Sequence, residues 1–194
     1  ADYCGVISVK NRVLDEGWKE SSLVYWVTGV SAGCEVNKSN QNKKYTGEFL
    51  IDTDYTQMDL KNAVYAGELA LHKVGTDIRV LEDINTKVSV SDNEGELFRE
   101  NQTVRIADQI ANDIAVLFQT KYLGAIPNDA AGRISLWSDI VKHHEQLQKI
   151  RAIEDFSDSD ISVLPGDSKK SIVINDAVTI VNSMSKLYMT VTVA

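Results

Sequence analysis

The sequence predicts an α+β fold, with mixed or antiparallel sheets packed on two main amphipathic helices and a strand-bearing arm at the C-terminal end. Three observations predict it: residues 99–151 carry two helical repeats joined by KYLGAIPNDAAGR, a strand-rich part precedes them, and another follows. A length of 194 residues fits one domain with a sizeable core. Its expected parts are a strand-rich stretch at 1–96, the helical pair at 97–151 and a second strand-rich stretch at 152–194, with the arm starting near residue 184.

Residues 6–9 and 23–30 are rich in β-branched and aromatic side chains and are separated by the polar stretch 11–22, which predicts two strands around a loop or short helix. The second, LVYWVTGV, is apolar almost throughout, as in a strand covered on both faces or a lead into a buried helix through GVSAGC. Residues 37–44 are polar without periodicity and predict a surface loop, the best place for mobility. Leu60, Val64 and Leu69 among good helix formers predict a short helix over 59–68, with Thr56 placed to cap it. Residues 69–74 and 78–81 flank the turn-forming GTD and predict a β-hairpin. Residues 86–90 alternate as a further strand, and SDNEGE predicts a turn.

The first long helix is expected to start near Asn101 or Thr103, either of which can accept from a free first-turn amide. Val104, Ala107, Ile110, Ala111, Ile114, Leu117 and Phe118 recur at three- and four-residue steps and give it one apolar face. Gly124 and Pro127 end it, and Asn128 or Asp129 can cap the second helix. The expected apolar positions there are Ile134, Trp137, Ile140, Val141, His144 and Leu147. Beyond Arg151, FSDSD reads as a polar turn, 161–164 as a strand, PGDSKK as a tight turn, and 171–174 and 187–193 as β-rich segments. The last, LYMTVTV, needs a neighbour, because an apolar strand with unpaired backbone groups is a template for another chain.

Composition narrows the function classes. With 28 acidic against 20 basic residues the formal charge is -8, which disfavours nucleic acid and anionic membrane surfaces, and the basic residues do not cluster. No apolar run approaches the ~18 residues of a spanning helix, and no signal-peptide pattern is present, so the expectation is a soluble protein of intracellular origin without membrane insertion. The start at Ala1, running straight into CGVISV, predicts a fragment of something longer. Cys4 and Cys34 sit among apolar or small residues and are expected as buried, reduced thiols.

No pattern of catalytic, metal or cofactor chemistry emerges. His143 and His144 are adjacent, so on a helix they point about 100° apart and cannot make a two-histidine metal face. His144, in register with Trp137, Ile140 and Leu147, reads as a core histidine; the competing reading is a hydrolase using His144 with an acidic residue. His72 falls in the hairpin. Asp52 with Asp54, and Asp158 with Asp160, fail as calcium loops: Gln57 stands where the first needs glycine and Ala63 where it needs the bidentate acid, and Val163 and Lys169 occupy those places in the second. GxSxG, GxxxxGK[ST] and GxGxxG are absent, leaving no catalytic, cofactor or metal residue to name. Arg133, Lys142, Lys149 and Arg151 gather on or beside the second helix, either as an ordinary solvated face or as a dock for an acidic partner.

Several motifs in order resemble the contractile tail sheath proteins of bacteriophages, prophages and phage-tail-like bacteriocins of Gram-positive type. They are VYWVTGVSAGCEVNKS from Val24, VLEDINT from Val80, FRENQTVRIADQIANDIAVLF from Phe98, YLGAIPNDAAGRISLW from Tyr122 and MSKLYMTVTV from Met184. Each is modestly specific, but their order and spacing cover nearly the whole chain. Members of that family carry an N-terminal extension and outer domains ahead of this part, so the resemblance implies the C-terminal portion without the N-terminal arm. It implies a structural subunit, not an enzyme, that polymerises around the tail tube and contracts to drive the tube through a cell envelope. Sheaths of related contractile injection systems share the mechanism. The implied partners are other sheath subunits, the tail tube protein, the baseplate and the tail terminator; the implied place is a virion tail or bacteriocin particle assembled in the bacterial cytoplasm. Strand exchange between subunits through Leu187, Tyr188, Met189, Thr190, Val191, Thr192 and Val193 is expected, with Arg133, Lys142, Lys149 and Arg151 as candidates for the tube contact.

Overall fold

A computed structural model describes residues 2–91 and 95–193. The chain divides into two compact units, one of residues 1–104 with 182–194, the other of residues 105–181. The boundary at 104/105 falls inside a helix.

In the first unit, β1 (Ser8–Val9) pairs in parallel with β2 (Glu68–Leu69), and β3 (Leu71–Val74) forms an antiparallel hairpin with β4 (Asp77–Val80). The hairpin matches the expectation at GTD. Its loop is Gly75 and Thr76, and Gly75 has φ +62°, the left-handed region a two-residue turn requires. The segment 23–30 corrects the strand expectation: a 3-10 turn at Glu20–Leu23 runs into helix α1 (Val24–Ala32). Leu23 and Val27 are buried and Trp26 packs beside them, a spacing of three and four that only a helix brings to one face. Helix α2 (Gln57–Tyr65) is capped as expected, Thr56 accepting from the Asp59 amide while Asp59 accepts from the Thr56 amide at 3.0 Å.

These elements enclose a core of Val13, Leu23, Val27, Ile51, Leu69, Leu71 and Val80. Asn11, 4% exposed, threads it with all its amide capacity used on main chain: Nδ2 donates to Asp52 O and Leu71 O at 2.8 Å, and Oδ1 accepts from Leu71 N at 2.7 Å. Residues 86–90 are not a strand. Their alternation is real, but the Val88 and Ser89 amides donate to the Asp2 carboxylate instead of a neighbouring strand, and the Ser89 side chain, with these two amides, lowers the Asp2 pKa to about 2. The SDNEGE turn falls largely outside the described residues. Cys4 and Cys34 are half-buried, less than expected, and form no disulfide.

Helix α3 (Asn101–Leu117) begins where expected and continues into a π-helical turn, Phe118–Tyr122, before Gly124 (φ +72°) reverses the chain. Helix α4 (Ala130–Lys149) is capped by Asp129, whose carboxylate accepts from Gly132 N at 2.7 Å. Its buried stripe is Leu136, Ile140, His144 and Leu147; Ile134, expected on that face, is 64% exposed, and Leu136 takes its place. Tyr122, Leu136, Ile140 and Ile161 form the second unit's core, and burying Ile140 or Leu136 contributes on the order of 1.5 to 3 kcal/mol each. The Lys121 ammonium and Tyr122 hydroxyl both donate to Asp139, fastening the π turn to α4 and holding that carboxyl below its ordinary range against its partial burial.

Past α4, Arg151 takes the left-handed conformation (φ 62°) and Ala152 N closes the helix on Leu147 O at 3.0 Å. The strands β5 (Ile153–Glu154) and β8 (Thr179–Ile180) pair antiparallel, as do β6 (Ile161–Pro165) and β7 (Ile172–Asp176). The expected 161–164 and 171–174 strands are thus present, while β5 and β8 were not foreseen.

Gly132 gives a sharp test of this packing. A Cβ there would run into the Pro127 carbonyl oxygen and the Asp129 cap. Gly132→Ala, which in an open helix would stabilise by about 1 kcal/mol, is therefore expected to destabilise by at least that amount. Urea unfolding reads the sign directly.

Candidate assembly site

Among the described residues, 187–193 take part in no strand pairing. β8 holds the chain as far as Val181, whose amide donates to Ala152 O at 3.0 Å. Asn182 then donates through Nδ2 to Thr103 Oγ1 at 3.1 Å, and Ser183 N to Gln102 Oε1 at 3.0 Å. Regular structure ends at Ile180, and beyond Ser183 the residues Leu187, Tyr188, Met189, Val191 and Val193 are 70–89% exposed. Odd-numbered apolar residues alternate with Tyr188, Thr190 and Thr192, a period that gives one greasy and one mixed face once extended.

The β6–β7 hairpin has two unlike faces. One face, with Ile161, Val163, Ile172 and Ile174, packs in the core against α4 residues; the other shows Leu164 and Val173, 48% and 45% exposed. Only two strands make this sheet, so each has an outer edge.

The motif residues meet at a buried carboxylate that sequence reasoning missed. Asp83, 1% exposed, accepts from Asn40 N at 2.8 Å and Asn101 Nδ2 at 2.9 Å, and Ser39 Oγ lies 3.3 Å away. Next to it Asn85, fully buried, donates through its main-chain N to Arg99 O at 3.0 Å and through Nδ2 to Phe98 O at 2.9 Å. VLEDINT, VNKSN and FRENQT are therefore one polar knot, and the loop 37–44, expected to be mobile, is tied into it. Only their polar letters amid apolar ones hinted at this, since periodicity cannot find a buried polar group.

The basic residues do not gather. Arg133 is half-buried and donates through Nη1 to Asn128 O and Oδ1 at 3.2 and 3.0 Å, steadying the turn before α4. Lys142 stands nine residues on, half a turn round the helix from Arg133, with Lys149 on its own side. Lys142 lies 3.9 Å from Asp139 and stays exposed, as do Lys149 and Arg151.

His144 is sealed, which removes the hydrolase reading. It is 0% exposed, with Nδ1 3.0 Å from Ile140 O and Nε2 3.1 Å from Asp176 Oδ2, the latter an ion-pair contact more than a straight hydrogen bond. Burial alone would push its pKa down, but Asp176 and the Ile140 carbonyl outweigh it and the net shift is upward. His143 Nε2 contacts Asp113 Oδ2 at 2.9 Å beside it. Among the described residues no three acidic, histidine or cysteine side chains come together as a metal site, and no helix is long and apolar enough to cross a membrane.

A family model described as the phage tail sheath C-terminal domain matches residues 93–194, and one described as the phage tail sheath protein central domain matches residues 1–86. The chain belongs to the phage tail sheath family. That family is structural and not enzymatic. A tail sheath protein of Clostridium phage phiCD119 is 28% identical over 66% of this chain and 36% of its own length. An uncharacterized Bacillus subtilis protein, YqbK, is 28% identical over 99% of the chain, and this sheath chain spans 44% of that relative's length. A crystal structure of a sheath tail protein from Listeria innocua superposes with a TM-score of 0.84 at 27% identity, covering 94% of this chain and 44% of that one. The contracted helical sheath of the anti-feeding prophage shares the fold, with a TM-score of 0.74 at 15% identity over 96% of this chain and 55% of its own.

Proposed function

We propose that this chain is a structural subunit of a contractile tail sheath, polymerising around a tail tube and contracting to drive the tube through a cell envelope. The observation that carries the reading is that the chain has both an exposed, alternating apolar segment at 187–193 and a hairpin, β6–β7, of only two strands. Strand addition of one copy's arm to another's hairpin links subunits through main-chain hydrogen bonds, which tolerate reorientation of the rigid parts they join. Leu187, Met189, Val191 and Val193 would continue the apolar face of Ile172 and Ile174, leaving Tyr188, Thr190 and Thr192 beside Val173. Contraction then repacks subunit surfaces between two arrangements while the links persist.

The partners in this reading are further copies of the chain, a tail tube protein, a baseplate and a tail terminator, in a phage tail or phage-tail-like particle assembled in the bacterial cytoplasm. Support comes from the fold shared with anti-feeding prophage sheath and baseplate structures, and with an extracellular contractile injection system sheath in its contracted state. The last similarity also favours a second reading, a sheath of a contractile injection system, with the same mechanics. Polymerisation with and without residues 187–193 is the test of the core claim.

For the tube contact, Lys142 and Lys149 share a side of α4 with Arg151 just beyond its end, whereas Arg133 is engaged at the opposite side. Changing Lys142 and Lys149 to Glu is expected to weaken tube binding by about tenfold at low salt and little at high salt. Co-sedimentation with tubes measures it, and unchanged binding at low salt removes these residues from the interface.

A further inference from the structure

We propose that an exposed apolar patch around Trp18 on one copy seats in a cation-rimmed groove beside α2 of a second copy; this rests on the reading of the chain as a self-assembling subunit. Patch and groove both belong to the first unit.

The patch is built from two segments joined through main chain. Leu14 N donates to Leu50 O at 2.8 Å, Leu50 N to Asp15 Oδ2 at 2.7 Å, and the Trp18 ring meets Phe49 edge-on with centroids 5.0 Å apart. Val13 and Ile51, bridged to one another, are buried, so alternation along both segments turns Leu14 and Leu50 outward. Leu14, Trp18 and Leu50 are 52%, 58% and 61% exposed, a cluster where an ordinary surface scatters such side chains singly. Carboxylates rim it. Burial raises the Tyr45 hydroxyl pKa and Asp15 and Glu48 add to the rise, which puts both carboxylates beside this cluster. Glu16 and Glu48 are exposed and, among the described residues, make no ion pair. Arg12 is shared between Glu20 and Asp52, so Lys19 is the cation of these two segments left to oppose them.

The groove is the complement. A cavity of about 390 Å³ has Leu60, Val64 and Leu81 among its walls, with Lys61, Arg99 and Lys186 beside them. Its remaining titratable side chains besides Tyr65 are Glu82 and His72, and burial pushes the His72 pKa down, towards the neutral ring. Glu100 lies within reach of Arg99 and Lys186, but burial, with Glu82 and Asp83, pushes its carboxyl up, also towards the neutral form. Cations are therefore in excess here. Arg99 is steadied by donating through Nη2 to Val64 O, and Lys61 reaches over the Tyr65 ring, 5.7 Å from its centroid. Met58, Lys61 and Tyr65 share one face of α2 at three- and four-residue steps, and Met58 and Tyr65, 62% and 64% exposed, extend the apolar surface.

Charge complementarity selects the occupant. In a chain of formal charge -8 two copies repel on average, and an apolar patch rimmed by Asp15, Glu16 and Glu48 offset that repulsion best against Lys61, Arg99 and Lys186. An indole, which buries about 150–250 Å², fits a cavity of this size. The Trp18 indole nitrogen, without a partner among the described residues, would meet the Glu82 carboxylate. Because patch and groove are different surfaces, the contact is head-to-tail, as an extending array requires.

Charge reversal and its repair test the pairing, read by sedimentation velocity at low salt. Glu16→Lys with Glu48→Lys, and separately Lys61→Glu with Lys186→Glu, are each expected to raise the concentration needed for self-association about tenfold, and all four together to return it to within about threefold of the parent. Trp18→Ala is expected to raise it about tenfold or more at low and high salt alike. Every variant associating as the parent does overturns the inference and leaves self-assembly standing; a parent that never associates removes both. Loss in the patch variants without repair by the groove changes gives the patch a different occupant and overturns the pairing. Carbodiimide coupling of mixed isotope-labelled and unlabelled parent copies reads the contact without substitution: mixed-label peptides joining Lys61 or Lys186 to Glu16 or Glu48 support it, and polymer that yields none overturns it.

Discussion

A variant ending at Lys186 is expected to fold as the parent does and to form no sheath polymer. Of the eight residues removed, 187–193 contribute almost nothing to their own chain: the arm is fastened at Val181, Asn182 and Ser183, upstream of the cut, and the apolar side chains beyond the cut are 70–89% exposed. Thermal midpoints of parent and variant should agree to about 1 or 2 °C, because exposed side chains carry little folding energy. Association is another matter. Five or so main-chain hydrogen bonds at about 1 kcal/mol each, with three or four apolar side chains withdrawn from water, disappear together, which is many decades in an association constant. Sedimentation velocity and electron microscopy of negatively stained samples read the result. Normal tubular polymers from the shortened chain would refute assembly through the arm.

The second large effect is a pH dependence centred on His144. Both ring nitrogens face acceptors, Ile140 O and Asp176 Oδ2, so the fold prefers the imidazolium. A folded pKa raised above the unfolded value of about 6.5 makes this stabilisation fully present below 6.5 and removes it as pH rises through the folded value. The other titratable neighbours are His143, whose ring is 5.2 Å away, and Asp113 behind it; burial pushes the Asp113 carboxyl up, but Gln109 and His143 pull it below its ordinary range, so its loss falls at acid pH, in a separate window. Asp176→Asn should cost about 1 to 3 kcal/mol at pH 6 and much less at alkaline pH, since the neutral imidazole has little use for the carboxylate. Urea titrations of parent and variant across that range give the difference curve. A difference that does not shrink as pH rises would show that Asp176 acts through packing and not through charge.

How much of this the sequence disclosed depended on how unambiguous each periodicity was. The long helices were legible because Val104, Ala107, Ile110, Ile114 and Leu117, and then Ile140, His144 and Leu147, repeat at three and four, and because Asp129 stands at a recognisable cap. Helix α1 was not, since Val24 and Tyr25 are apolar yet exposed and fill in the gaps that would have revealed the spacing of Leu23 and Val27. The alternation at 86–90 misled for the opposite reason: the pattern exists, but the Asp2 carboxylate captures the amides that a ladder would need. Strands of two residues, β5 and β8, are too short to show any period. At the candidate assembly site the alternation of LYMTVTV is plain in the sequence. The direction in which Ile174 N and Pro165 face is not, because it depends on register, a property of the folded pair.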